Sequence, residues 1–332
     1  MYRKDPILER LQRGENIISL ALAAVVFLAV VAIQRRWNPA DLKDVASSAE
    51  DFILTTAGIR GQVPDIAGYE RVKTFRIGRY RAGLYRASPA PLAFAPGRFV
   101  IYTRDDQPVF RLETLEGSKD AWTTLYDFAG RRGSSTAESR AKPAYTRSLT
   151  GKQDPDILIG QYSGGDQCCT TVTIVELGAE SVRPLGHISG LDEMPFEGLE
   201  VRKIFKDATW ELIAHRPYQT SCGAHEDAAD VLAVYGYDGE NYSDQTSHYR
   251  DYLSGVLRQE VAKWANPKSR SLQLLQTIAA HYAILGEQDQ ARRSFAMNLN
   301  DLMPALKQRG VDPNACIEGL ESLMSKLPSA AP

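Results

Sequence analysis

The chain lacks an excess of charge of either sign. Its 39 lysines and arginines stand against 41 aspartates and glutamates, which gives a formal net charge of −2. Domains that bind nucleic acid are usually strongly basic, so this balance argues against a nucleic-acid partner. The hydrophobic share of 43% excludes a disordered chain and is enough for a buried core.

The sequence also lacks the short motifs that mark common catalytic and cofactor sites. It has no HExxH zinc motif, no phosphate-binding glycine loop, no GxSxG elbow and no dinucleotide fingerprint. We therefore predict no catalytic residue, no metal, no cofactor and no specific small-molecule ligand.

Cysteine is scarce, and its spacing lacks the paired CxxC signature of zinc ribbons. The four cysteines are the adjacent pair Cys168 and Cys169, then Cys222 and Cys316. An even number in an exported domain permits two disulfides with three pairings. One favoured pairing joins the adjacent pair to the loop at 221–223, and the other links Cys222 to Cys316 and so links sheet to helices. A bond between the two adjacent cysteines is a further alternative.

One long apolar run is present, at residues 17–33, in which only Ser19 is polar. At about 1.5 Å per residue it spans roughly 25 Å, slightly less than the roughly 30 Å hydrocarbon core of a bilayer. The flanking Arg35 and Arg36 could extend to the headgroups and close this gap. We expect a single transmembrane helix; a cleaved signal peptide and a buried core helix are the alternatives.

Positive charge is nearly balanced across this run, so it does not settle the orientation. The sixteen-residue leader is easily kept in the cytoplasm, and the cysteines favour an oxidising compartment. We expect an inner-membrane protein with a cytoplasmic N-terminus and a periplasmic C-terminal domain.

Beyond the membrane, the period of the apolar residues changes twice. Short runs rich in Val, Ile, Thr and Tyr between residues 98 and 242 predict antiparallel strands. From Ser243 the period becomes helical, and Asp312-Pro313 is typical of the start of a last helix. The class is α+β, with these expected segments: leader 1–16, transmembrane helix 17–33, juxtamembrane helix and basic linker 34–97, β-rich domain 98–242, helical region 243–328.

The segment DPDILIGQYSGGDQCCTTVTIVEL, residues 154–177, resembles the bacterial FG-GAP or VCBS-type repeats of propeller-like proteins. The resemblance implies a blade-like β-unit and a partly propeller-like domain, with residues 182–242 as a candidate second unit. Members of that family often hold calcium in an acidic loop before the strand. Here Lys152 stands in that loop, so we expect no calcium.

The segment at residues 275–298 resembles one tetratricopeptide unit. Residues Ile278, Ala279, Tyr282, Gly286, Ala291 and Phe295 match its packing positions. The resemblance implies a helical hairpin that serves contact rather than chemistry, and neighbouring elements must cover its apolar face. An ordinary helical hairpin is the alternative.

Two groups of residues are candidates for function. The loop residues His225, Glu226 and Asp227, with Asp230, form the densest polar group and lie close to Cys222. Aromatic residues and arginines are enriched at protein interfaces, which makes a second set candidate contacts with a partner. That set is Tyr80, Arg81, Tyr85, Arg86, Trp122 and Trp210.

These features predict a non-catalytic, membrane-anchored bacterial protein that binds another protein, as an accessory or scaffold subunit of an inner-membrane or envelope complex. A tether raises the effective concentration of the domain near a membrane partner. The alternative is an envelope enzyme or ligand-binding receptor that uses Cys222, His225, Glu226 and Asp227.

Overall fold

The structural description covers most of the second of two compact units. The units are residues 1–64 and 65–332, and only residues 63 and 64 of the first are described. The computed structural model describes residues 63–88, 95–116, 121–128, 145–164, 170–179, 181–191 and 196–327. Within these ranges no helix is both long and apolar enough to cross a membrane. The expected span at 17–33 lies outside them.

The described β-strands form three antiparallel sheets of four strands each, and in each sheet the strands are paired in chain order. The first sheet has β1 (Tyr69–Ile77), β2 (Tyr80–Ala87), β3 (Ala95–Tyr102) and β4 (Pro108–Glu116). The second has β5 (Trp122–Leu125), β6 (Asp156–Tyr162), β7 (Thr170–Leu177) and β8 (Val182–Leu191). The third has β9 (Leu199–Arg202), β10 (Glu211–Tyr218), β11 (Ala229–Tyr237) and β12 (Tyr242–Asp244).

Four α-helices follow the third sheet within the described residues. They are α1 (Arg250–Ala265), α2 (Leu272–Ile284), α3 (Gln288–Gln308) and α4 (Pro313–Lys326). The expected start of α4 is confirmed, because the Asp312 side chain accepts a hydrogen bond from the main-chain N–H of Asn314 at 2.9 Å and Pro313 occupies the first helical position. The mixed α+β class with antiparallel sheets is likewise confirmed.

The apolar residues form three cores that connect the elements in series. Leu84 and Phe99 of the first sheet share a core with Ile157 of the second. A second core joins the second sheet to the third, and a third joins the third sheet to all four helices. The second sheet thus buries both faces, which explains why the sequence of β6 reads as an almost continuous apolar run.

The structure differs from the sequence-based segment boundaries at two places. Residues 34–97 were expected to hold a juxtamembrane helix and a linker, but β1 and β2 lie in this range; β1 pairs with β2, and β2 pairs with β3. The candidate second unit at 182–242 is divided between two sheets, because β8 completes the second sheet and the third begins at β9. Strand β1 is an end strand and carries several charged residues, most of them basic, among its apolar ones. These charges hid the alternation of apolar and polar residues by which a strand is predicted.

A buried carboxylate fixes the chain just before β6. Asp156 is fully buried, and its Oδ2 accepts hydrogen bonds from the main-chain N–H groups of Leu149 at 2.6 Å and Thr150 at 3.2 Å. Burial raises the pKa of Asp156 to about 6, because the loss of solvation outweighs the stabilising effect of these two donors on the carboxylate. Folding therefore favours the protonated form of this side chain.

Substituting Asp156→Asn should change how stability depends on pH. The folded pKa lies above the unfolded value, so the native state binds an extra proton between about pH 4 and pH 6, and this contribution to stability is lost as pH rises through that window. Relative to the variant, the wild-type chain should lose about 3 kcal/mol of unfolding free energy across the window. Urea unfolding from pH 4 to pH 7 measures this; a constant difference between the two proteins would contradict it.

Candidate functional site

The cysteines nearest the candidate loop are joined to each other. Cys222, in the loop after β10, forms a disulfide with Cys316 of α4. This confirms one of the two favoured pairings and links the third sheet to the helices. Both residues are buried. Cys168 and Cys169 lie outside the described residues.

Asp227 of the candidate loop has a structural role. It is 5% exposed, and its carboxylate accepts hydrogen bonds from two guanidinium nitrogens of Arg309, which follows α3, and from the main-chain N–H of Ala224. The Gln276 side chain donates to its main-chain oxygen at 2.5 Å. The contacts with Arg309 and Gln276 hold the loop against the helical region, and the contact with Ala224 lies within the loop. The carboxylate is therefore not open to a ligand.

The remaining loop residues line a cleft of about 410 Å³ beside the third sheet. We call this the acidic cleft, because four carboxylates and two histidines face it. They are Glu197, Glu200, His215, His225, Glu226 and Asp230. The described residues contain no group of three or more histidine, cysteine or carboxylate side chains that could hold a metal ion.

His215 connects two strands of the sheet across this cleft. Its Nδ1 lies 2.9 Å from Oδ2 of Asp230 on β11, and its Nε2 lies 3.5 Å from Oε1 of Glu200 on β9. Burial alone would lower the pKa of His215, but the hydrogen bond and charge of Asp230, with the charge of Glu200, outweigh it and raise the pKa above its ordinary value. The ring is thus held between two carboxylates.

A second cavity of about 600 Å³ adjoins the acidic cleft, and Glu197 and Glu200 line both. We call it the aromatic groove, because the partly exposed rings of Trp122, Tyr126 and Phe196 line it. The first strand of each sheet contributes to it: Lys73 from β1, all of β5, and Leu199 and Glu200 from β9.

Phe196 is the strained member of the aromatic groove. Its φ is +60°, a left-handed conformation that is unfavourable for a bulky residue and that often marks functional sites. A Cβ on Gly160 of β6 would lie 2.7 Å from the Phe196 ring, so only glycine leaves room for the ring there. The ring of Tyr126 packs against it edge-on with centroids 4.9 Å apart. These contacts hold Phe196 in place.

The predicted interface residues are not brought together. Tyr80 and Tyr85 are buried, at 5% and 0% exposure, so they offer no surface to a partner. Arg81 forms an ion pair with Asp106 and Arg86 forms one with Glu70. The guanidinium carbon of Arg147 lies 3.9 Å from the centroid of the Trp210 ring. Of the six, Trp122 alone lines the aromatic groove.

Four residues of the two cavities were not predicted from the sequence: Tyr126, Phe196, Glu197 and Glu200. Only Phe196 has a local signal, because it follows a proline and precedes a Glu-Gly pair typical of a turn. The cleft itself arises from strand register: Glu200 pairs with Ile213, two residues from His215, and Pro217 pairs with Asp230.

Comparison with protein-family models, with curated proteins and with solved structures finds no match for this chain.

Proposed function

We propose that the chain is a non-catalytic, membrane-anchored protein that binds another protein, as an accessory subunit of a bacterial inner-membrane or envelope complex, and that the aromatic groove is its binding surface. The observation that carries the proposal is this groove, where three partly exposed aromatic side chains meet between the end strands of two sheets. Aromatic residues, above all Trp and Tyr, are enriched among the side chains that contribute most of the binding energy at protein interfaces.

The proposed location rests on the apolar run at 17–33 and on the disulfide. The Cys222–Cys316 bond supports an oxidising compartment, and hence a periplasmic domain, because cytosolic thiols are normally kept reduced. The sixteen-residue leader would then remain cytoplasmic.

The sheet arrangement supports the resemblance to propeller-like repeats. Each sheet is a four-stranded antiparallel meander, as a propeller blade is, and the segment at 154–177 contributes β6 and β7. We propose that the three sheets form a partial propeller whose first strands line the aromatic groove.

The helices support the resemblance to a tetratricopeptide unit. Residues Ile278, Ala279, Ala291 and Phe295 are buried, and Gly286 between α2 and α3 has a φ of +82°. The apolar face of this hairpin shares a core with the third sheet and the other helices, which supply the cover that one isolated unit lacks.

The contacts of the candidate loop favour protein binding over the alternative of an enzyme or receptor. A thiol–histidine site would need Cys222 as a free thiol, and this residue is in the disulfide. Asp227 is neutralised by Arg309. His225 and Glu226 remain beside the acidic cleft, where they can contribute to recognition.

The test is capture of the partner from native membranes. Full-length chain carrying an affinity tag would be extracted in mild detergent, and co-purifying proteins would be identified and quantified for wild type and for Phe196→Ala. Truncating an interface anchor typically costs about 2 kcal/mol or more, so the yield of partner should fall by roughly 30-fold at limiting concentration.

Phe205→Ala is the matched control, since Phe205 is 50% exposed and lies outside both cavities. It should retain the partner, and thermal unfolding should show that both variants are folded. A wild-type chain that purifies alone, or a partner retained equally by both variants, would refute the proposed binding surface.

A further inference from the structure

Strand β9 forms the boundary between the aromatic groove and the acidic cleft. It is the end strand of the third sheet, and among the described residues it pairs with β10 alone. End strands carry main-chain N–H and C=O groups that can pair with another extended chain. Binding of a peptide as an added strand uses this property.

The two faces of β9 border different parts of the protein, one the core between the second and third sheets and the other the side chain of His215. Leu199 is buried in the core between the second and third sheets, on the side of the aromatic groove. Side chains alternate along a strand, so Glu200 points to the opposite face, toward His215, and its side chain lies at the border of the two cavities. An extended segment beside β9 would place alternate side chains in these two cavities.

The charges around the acidic cleft favour cations on such a segment. Glu197, Glu200, Glu226 and Asp230 line this cleft. Two permanent cations neighbour them: Arg202 pairs with Glu200 at 2.7 Å, and Arg309, which also pairs with Asp227, lies 3.7 Å from Glu226. The four carboxylates of the cleft thus outnumber the neighbouring permanent cations, and a basic side chain would reduce the imbalance.

We infer that β9 accepts an extended segment of the partner protein in which aromatic or aliphatic residues alternate with lysine or arginine. The apolar side chains enter the aromatic groove and the basic ones enter the acidic cleft. The main chain pairs with the edge of β9 that lies away from β10, apart from the N–H of Leu199, which already donates to the carbonyl of Phe196. The inference rests on the proposed function and names the kind of segment that the partner presents.

The first test selects peptides without assuming their sequence. Full-length chain in detergent micelles would be panned against a displayed library of random heptapeptides. We expect the enriched peptides to carry lysine or arginine at alternate positions, with apolar residues between them. Enrichment of acidic peptides, or of apolar peptides without basic residues, would overturn the inference.

Charge reversal in the acidic cleft tests the electrostatic part. An enriched peptide should bind at least tenfold more weakly to the double variant Glu197→Lys, Glu200→Lys than to wild type. Glu318→Lys is the matched control, because Glu318 is an exposed carboxylate on α4 outside the cleft, and binding should not change. Equal binding by wild type and double variant would overturn the inference.

Methylation of peptide nitrogens tests the added strand. Alternate amides of an extended peptide point to opposite edges, so N-methylation of one alternate set should abolish binding and N-methylation of the other set should preserve it. Binding that survives both methylations would refute strand addition. Capture of a membrane partner that depends on Phe196, together with no peptide binding, would leave the proposed function standing and remove this inference alone.

Discussion

Replacing Cys222 and Cys316 together by alanine should lower the unfolding free energy of the full-length chain by about 4 kcal/mol, within the 2–5 kcal/mol usual for a native disulfide. The two cysteines are 94 residues apart in sequence, so the bond closes a long loop and removes much of the conformational freedom of the unfolded chain. Denaturant unfolding under non-reducing conditions measures the change. Both sites are buried, and alanine introduces no polar group into them.

The variants are preferable to a reductant, because they remove this bond alone. Each single alanine substitution should destabilise the chain nearly as much as the double substitution, since either one breaks the bond. The prediction is wrong if the double variant and the wild-type protein unfold at the same denaturant concentration.

The substitution His281→Leu should destabilise the chain by about 1.5–3 kcal/mol, because it removes a hydrogen bond to a buried carboxylate. His281 is 1% exposed, and its Nδ1 lies 2.7 Å from Oε2 of Glu260 on α1. Its Nε2 accepts a hydrogen bond from the main-chain N–H of Leu232 on β11 at 3.3 Å, which places the ring proton on Nδ1. One side chain of α2 thus connects a helix and a strand.

A double-mutant cycle separates this pairing from simple loss of volume. Adding Glu260→Met to His281→Leu should restore part of the stability, because both charged and polar partners are then replaced by apolar groups. His248→Leu is the control, since His248 is exposed, and it should change stability by no more than about 0.5 kcal/mol. Strictly additive effects at 260 and 281 would show that the two side chains are not coupled.

Strands and helices whose apolar residues recur at a regular spacing were predicted from the sequence. Strands in which charged residues interrupt that spacing were not. Antiparallel strands were expected between residues 98 and 242, and β6 and β7 lie in this range, because short runs rich in Val, Ile and Thr that are bounded by turns favour strands. Strands β1 and β2 were missed because Arg71 and Lys73 interrupt the first of them, and an end strand tolerates such charges on its outer face.

The candidate site was less predictable because it depends on contacts between distant residues. The loop at 225–227 was predicted as a candidate site because its polar residues are adjacent in sequence. In the structure the Asp227 carboxylate instead forms an ion pair with Arg309. Glu200, His215 and Asp230 come together only through the register of three strands, which local composition does not encode. The aromatic groove likewise needs residues of all three sheets.

The serial arrangement of the cores has a consequence for how the protein is assembled during synthesis. Each sheet pairs its strands in chain order and shares a core with its neighbours in sequence, so the elements can dock in the order in which they occur along the chain. The Cys222–Cys316 bond cannot form until α4 has been made. Oxidation therefore depends on the presence of the last helix, and it covalently joins that helix to the loop after β10.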